Sequence, residues 1–230
     1  MEEPIHLATR EDPEGHPFAS TDQYRGDIAL LNYLLQDLRV LLRRHKKGEI
    51  TLSKFQTITW EVHGLERRTV VCQPEELLGD KTVCIVGFFG DRRSNANQNP
   101  IDASEFDLIA EFTRFPGILS YSSVELVDGY WANLVVHNAS DDREDWRASD
   151  VHKKAVDDVA PLAYHSVRIH NGCVVAGATS SNTVVVESTK YWDYDTTPTW
   201  HACRPLPGGA RAALQGPIPE DSSAEPAEGV

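Results

Sequence analysis

A histidine inside a predicted helix is the side chain best suited to proton transfer in this sequence. The imidazole of His152 titrates near neutral pH, so it can take up a proton and return it. Ala155, Val156 and Val159 follow at helical spacing, which places His152 on the apolar, inward side of the helix. The pattern therefore predicts His152 as a catalytic base. The alternative is a histidine that only packs or caps within the helix.

A second group of chemically useful side chains lies on the strand predicted over 130–137. Trp131, Asn133 and His137 fall on one face of this strand, because strand side chains alternate with a period of two. If that face meets the helices, the three side chains line a cleft with His152. The alternative for His137 is exposure to solvent, which is the commoner fate of a histidine at the end of a strand.

Three further residues are predicted to bind a substrate. Arg168 lies on the last predicted core strand, where its planar guanidinium is suited to holding a substrate carboxylate. A surface or interfacial ion pair is the alternative for this arginine. Phe88, in a buried strand, and Trp146, in the first part of the broken helix, are predicted to supply apolar contacts.

The order of the predicted elements around these residues defines the core of the fold. Apolar runs predict strands over 82–89, 118–127, 130–137 and 164–170, with helices over 104–115 and 141–159. Asp128-Gly129 is a strong signal for a tight hairpin, and Ser149 or Asp150 can cap a restart of the second helix. The order βαββαβ predicts an α+β protein with a ferredoxin-like core, in which an antiparallel sheet carries two helices on one face.

The remaining segments are predicted as additions to this core. An apolar stripe of Leu and Ile from Ile28 to Leu42 predicts an N-terminal helix, and a hairpin follows it. The predicted divisions are a flexible arm over 1–26, a helix and hairpin over 27–80, the core over 81–172, a β and aromatic extension over 173–204, and a disordered tail over 205–230. The open apolar face of the sheet must be covered by a second subunit or by the added segments, and a homodimer is predicted.

Composition restricts the partners and the compartment. The net charge of −13 disfavours nucleic-acid binding, because such a surface repels phosphate backbones. The 4 cysteines form no Cys-x-x-Cys pair, and no zinc site is predicted. The sequence has no secretory signal and no apolar stretch of membrane-spanning length, so a soluble cytoplasmic protein without membrane contact is expected.

The stretch 131–172 resembles the dimeric α/β-barrel superfamily, which includes antibiotic-biosynthesis monooxygenases and EthD-like proteins. The resemblance rests on the run from Trp146 to His152, on Ala155 and Pro161, and on the aromatic-led strand that begins at Tyr164. Relatives have an aromatic residue, a short break and a histidine in the second helix. The resemblance implies a ferredoxin-like fold that pairs into a dimeric α/β barrel.

The resemblance also implies a reaction. Small polyketide cyclases of this superfamily use a helical histidine as base, with a tyrosine where Trp146 stands, so Tyr164 or Tyr130 would supply the phenol here. Cofactor-independent monooxygenases of the superfamily place Asn and Trp side chains around an aromatic substrate. The implied function is a small enzyme of monooxygenase or cyclase type that acts on an aromatic or polyketide-like molecule. Asn133, Tyr164 or Arg168 would stabilise the substrate anion.

Two alternatives to this function stay open. Haem-binding relatives use an axial histidine in the same fold, although no motif selects one of the 9 histidines. A non-catalytic dimeric binding or assembly protein, with a structural His152, belongs to a different class. No nucleotide fingerprint, phosphate loop or nucleophile elbow is present in the sequence.

Overall fold

The computed structural model of the protein describes residues 3–62, 64–94, 96, 98–126 and 129–209. Within these ranges nine strands form one sheet, and six α-helices pack around it. The strands are β1 Ile5–His6, β2 Gln56–Val62, β3 Leu65–Val71, β4 Val83–Arg92, β5 Ile118–Glu125, β6 Tyr130–His137, β7 Tyr164–Val174, β8 Val185–Asp193 and β9 Trp200–Pro205. The helices are α1 Gln23–Lys46, α2 Pro74–Leu77, α3 Gln98–Glu111, α4 Ser140–Arg147, α5 Asp150–Lys154 and α6 Ala160–Ala163.

The centre of the sheet is the predicted βαββαβ unit. The strand order is β7-β4-β6-β5, all neighbours are antiparallel, and the connections after β4 and β6 carry the helices. The predicted α+β class is confirmed, and this order is consistent with a ferredoxin-like core. The second helical connection is broken as predicted, because α5 starts afresh behind the cap residue Ser149 and is followed by a π-helical turn, Ala155–Val159.

The sheet is larger than the predicted core. The hairpin β2–β3 adds to the free side of β5, so the predicted N-terminal hairpin is confirmed. Strands β8, β9 and β1 add to the free side of β7. The predicted β and aromatic extension over 173–204 supplies strands β8 and β9 of this sheet.

Helix α1 covers one face of the central strands around Ile85, Phe89 and Leu134. Its apolar stripe, buried at Leu31, Leu34, Leu35, Leu38 and Leu42, packs against Ile85, Phe89, Leu134 and Val136 of the sheet. The helix lies very close to β4 at Gly87, where a Cβ atom would stand 2.7 Å from the Leu31 side chain. The sequence predicted that either a second subunit or the added segments would cover this apolar face. The structure shows that an added segment, helix α1, covers it. The packing reason for predicting a homodimer no longer applies to this face.

The N-terminal segment was expected to be a flexible arm, and the structure corrects this for its described part. Strand β1 pairs with β9, and Leu7, Phe18 and Ala19 are buried against Tyr191. The predicted disordered tail falls mostly on 210–230, which lies outside the described residues, whereas Leu206 is buried in the main core. No helix in the described ranges has the length and apolarity to cross a membrane.

Candidate functional site

The side chains on the two faces of the central strands differ in how deeply they are buried. Ile85, Phe89 and Leu134 point toward α1 and are at most 2% exposed. The alternate residues on the same strands, such as Phe88 and Asn133, point toward α3–α6 and are only half-buried. Central strands of a nine-stranded sheet are normally covered on both sides, so this alternation marks an incompletely filled space. We call it the helix-side cleft, with a floor formed by Val86, Phe88, Asn133, Val135 and Ile169.

One end of the helix-side cleft combines aromatic rings with two polar side chains. The ring of Tyr164 meets the edge of Phe88 at 5.3 Å between centroids. The Tyr164 ring also packs closely against β4 at Gly90, where a Cβ atom would stand 2.5 Å from the ring. Burial raises the pKa of Tyr164 to about 12. The Tyr164 hydroxyl and the Asn133 amide make no hydrogen bond to any described residue.

A cavity of about 300 Å³ opens beside Trp131 at this end. It is also lined by Arg68 and by Ser123, which is the cross-strand neighbour of Asn133. Arg92 stacks over the Trp131 ring at 5.0 Å. Such a volume is at the lower limit of pockets that hold small organic molecules. The structure therefore brings together Phe88, Trp131, Asn133 and Tyr164, four of the residues predicted from the sequence.

The sequence did not indicate the charged pair in the wall of this space. Arg68 on β3 donates to the Glu105 carboxylate on α3, and the Tyr121 hydroxyl donates to the same carboxylate at 2.9 Å. The pair links elements 37 residues apart in sequence. Neither residue lies in a recognisable motif, so only the folded chain reveals the contact.

His152 lies at the opposite end of the helix-side cleft. Its ring packs edge-on against Trp146 at 5.4 Å, and burial together with the Arg147 guanidinium lowers its pKa to about 4. It is close enough to His137 to lower the pKa of that residue. His137 and Asn133 are four residues apart on β6, which separates the two ends by about 13 Å. The predicted site required His152 to lie beside Asn133 and Tyr164. The structure instead places it near His137, at the other end of β6.

His137 is buried rather than exposed at the end of its strand. It is 1% exposed, and neither ring nitrogen has a hydrogen-bond partner among the described residues. Burial, with smaller contributions from Arg143, Arg147 and His152, lowers its pKa to about 3. The ring is therefore neutral at physiological pH. The alternative of solvent exposure is wrong for this residue.

Arg168 lies on the other face of the sheet, which corrects its predicted place in the substrate site. Its guanidinium donates two hydrogen bonds to Asp27 of α1, at 2.5 and 2.6 Å. His170 lies beside it, with Nε2 2.8 Å from the same carboxylate. Burial acts to raise the pKa of Asp27, but the hydrogen bonds from Arg168 and His170 outweigh it and hold the pKa below its usual value. Asp27 thereby ties α1 to β7.

The side chain of Ser149 caps helix α5 beside His152, and its contribution to stability can be tested. The Ser149 hydroxyl accepts a hydrogen bond from the His152 backbone N–H at 3.1 Å. We expect Ser149→Ala to lower the free energy of unfolding by about 1 kcal/mol, because a helix N–H loses its partner. Ser149→Thr keeps an acceptor and should retain most of the stability. Equal urea midpoints for the Ala and Thr variants would contradict a capping role.

Neither His137 nor His165 is arranged to favour haem binding. The ring nitrogens of His137 have no partner among the described residues, but His137 lines neither the cavity beside Trp131 nor a second cavity of about 270 Å³ on the other face of the sheet. His165 lines the second cavity, yet its Nδ1 is 2.7 Å from Asp195, and Asp91 and Asp193 in the same wall would repel the haem carboxylates. Across the described residues, no three His, Cys, Asp or Glu side chains are arranged to hold a metal ion.

Comparisons with known proteins add little to this geometry. No family model matches the sequence, and no curated protein matches it. A solved structure of a protein from Shewanella oneidensis is similar at 14% identity with a TM-score of 0.36, over 41% of this chain and 92% of that one. A monooxygenase-like protein from Listeria innocua is similar at 11% identity with a TM-score of 0.27, over 56% and 85% of the two chains. Neither likeness identifies a family. The fold and the site define the protein only as an α+β protein with a small cleft on the helix side of its sheet.

Proposed function

We propose that the helix-side cleft binds a small aromatic or polyketide-like molecule. The observation that carries the proposal is the half-open face of the central strands. There, two polar groups that have no hydrogen-bond partner among the described residues lie on an apolar and aromatic floor. Ligand sites commonly combine a mainly apolar wall with a few fixed polar groups. Asn133 and Tyr164 are the polar groups, and Phe88 and Trp131 are the aromatic contacts.

The two polar groups favour a ligand that carries an acceptor oxygen. The Asn133 amide has two N–H donors, and the raised pKa of Tyr164 keeps its hydroxyl protonated at neutral pH. Both can therefore donate to a phenolate or enolate oxygen of the ligand. Hydrogen bonds to a charged oxygen are stronger than those between neutral groups. The ligand expected from this chemistry is a planar phenol or enol.

A second candidate function is catalysis on the same ligand, of the cofactor-independent monooxygenase or cyclase type. The pair of donors at one end of the cleft favours it, because stabilising an enolate lowers the barrier to its formation. His152 can serve as the base only for a substrate that spans about 13 Å, from Asn133 to the His137 end. A substrate whose enol or phenol ionises in water near neutral pH needs no protein base for that step.

Binding can be measured with 2-naphthol, a planar aromatic molecule with one hydroxyl group. We expect saturable one-to-one binding in isothermal titration calorimetry. Asn133→Leu and Tyr164→Phe should each weaken the affinity about fivefold, the value of one hydrogen bond. The matched controls Asn138→Leu and Tyr33→Phe change exposed positions and should leave the affinity unchanged. Equal losses in the variants and the controls would contradict the assigned site.

Catalysis can be distinguished from binding by identifying the natural ligand and measuring whether the protein converts it. Protein purified from cells should be extracted, and the molecules that copurify identified by mass spectrometry. The identified molecule is then returned to the protein, and oxygen consumption and changes in ligand mass are recorded. Turnover that Tyr164→Phe reduces supports the enzyme. Stoichiometric binding without turnover supports the non-catalytic binding protein.

A further inference from the structure

A second cleft lies on the opposite face of the sheet, beneath the N-terminal segment. Its volume is about 270 Å³, and we call it the arm-side cleft. It opens near the first residues of strand β7, away from the helices that bound the helix-side cleft. Its principal lining residues are Phe18, Asp91, Tyr130, Ser166, Asp193 and Asp195.

The floor of the arm-side cleft is a single row of cross-strand neighbours. Asp91 pairs with Tyr130 on one side and with Ser166 on the other, and Ser166 pairs in turn with Asp193. Directly opposed residues of antiparallel strands point to the same face, about 5 Å apart at Cβ. Ser166 therefore stands between two carboxylates that are about 10 Å apart. A positively charged group above Ser166 would be within reach of both.

Two polar groups of this row, the Ser166 hydroxyl and the Asp91 carboxylate, line the cavity. Ser166 is 7% exposed and lines the cavity, yet its hydroxyl has no hydrogen-bond partner among the described residues. The Asp91 carboxylate likewise has no ion pair or hydrogen bond within the described ranges. A hydroxyl that faces a cavity can both donate a hydrogen bond to a bound ligand and accept one from it.

The other residues around the arm-side cleft indicate the charge of the ligand and the nature of its carbon body. Asp193 contacts His16 at 3.0 Å and accepts a hydrogen bond from the Asp195 backbone N–H, while Asp195 contacts both Arg93 at 2.6 Å and His165 at 2.7 Å. Asp91 has no ion pair with any described residue, so its carboxylate disfavours an anion in the cleft and attracts a cation. Phe18 and Tyr130 contribute aromatic rings to the wall, and the Arg168 guanidinium already lies over the Tyr130 ring at 5.3 Å.

We propose that the arm-side cleft binds a small organic ammonium ion with an aromatic or apolar body. The ammonium group donates to the Asp91 and Asp193 carboxylates and to the Ser166 hydroxyl. The carbon body lies against Phe18 and Tyr130. This site is on the opposite face of the sheet from the one assigned to the aromatic or polyketide-like ligand, and it does not depend on that assignment.

Benzylamine, which is protonated at neutral pH, is the probe, and benzyl alcohol and benzoate are its neutral and anionic counterparts. In isothermal titration calorimetry, benzylamine should bind with one-to-one stoichiometry at least about tenfold more tightly than either counterpart, because a charge-assisted hydrogen bond is lost in both. Asp91→Asn should weaken benzylamine binding about tenfold, and Ser166→Ala about fivefold.

The control is Asp158→Asn, which removes the same charge from an exposed position on the π-helical turn. It should leave benzylamine affinity unchanged, and thermal melting should show that all variants remain folded. Benzylamine binding no tighter than that of benzyl alcohol would overturn the proposal. Equal losses in Asp91→Asn and Asp158→Asn would also overturn it, since the effect would then come from overall charge.

Discussion

Asp27→Ala is expected to lower the free energy of unfolding by about 3–5 kcal/mol, the usual cost of leaving one partner of a buried ion pair uncompensated. Asp27 and Arg168 are 4% and 5% exposed, so water cannot take over the role of the missing carboxylate. His170 loses its partner in the same change. Urea unfolding near neutral pH, followed by circular dichroism, measures the loss.

Two further variants separate the ion pair from its surroundings. Asp27→Leu combined with Arg168→Met replaces the pair by apolar side chains of similar size and should recover most of the lost stability. Glu49→Ala breaks an exposed pair with Arg44 and should cost less than about 0.5 kcal/mol. A loss below about 1 kcal/mol for Asp27→Ala would show that this contact does not hold α1 on the sheet.

His137 is expected to make the protein lose about 2 kcal/mol of stability between about pH 7.5 and pH 5. Its pKa is about 3 in the folded protein and near 6.5 in the unfolded chain, so the unfolded chain binds more protons between these values. Stability is therefore complete above the unfolded pKa and falls as the pH drops below about 6.5. The same direction holds for His152, whose pKa is about 4.

His137→Leu should remove the larger part of this pH dependence. It should also keep or raise the stability at about pH 7.5, because two buried nitrogens without partners are replaced by apolar atoms. His6→Gln changes an exposed histidine and should leave the wild-type pH profile as it is. An unchanged pH profile in His137→Leu would contradict the assignment.

The central strands could be predicted from the sequence because they combine unbroken apolar runs with clear turn signals. Strand β6 begins and ends at the predicted residues, and the Ser149 cap is where the sequence placed it. These features depend on neighbouring residues along the chain, and local physical chemistry decides them. The same holds for the apolar stripe of α1, although its first turn starts earlier than the periodicity indicated.

The composition of the candidate site could be predicted only in part. The two-residue period correctly placed Trp131, Asn133 and His137 on one face, but it could not tell how far along the strand His152 would lie. The Asp27–Arg168 pair joins residues 141 positions apart, and no local pattern indicates such a contact. Its consequence is that Arg168 lies against α1, on the opposite face of the sheet, and contributes nothing to the helix-side cleft.

Fluorine NMR of protein labelled with 5-fluorotryptophan tests the central claim most directly, since the chain has 5 tryptophans in different environments. Titration with 2-naphthol should shift the Trp131 signal, assigned through Trp131→Phe, until it saturates. The Trp60 signal, on the face covered by α1, should stay in place. A titration that leaves the Trp131 signal unmoved, or that moves both signals alike, would contradict a ligand site on the helix side of the sheet.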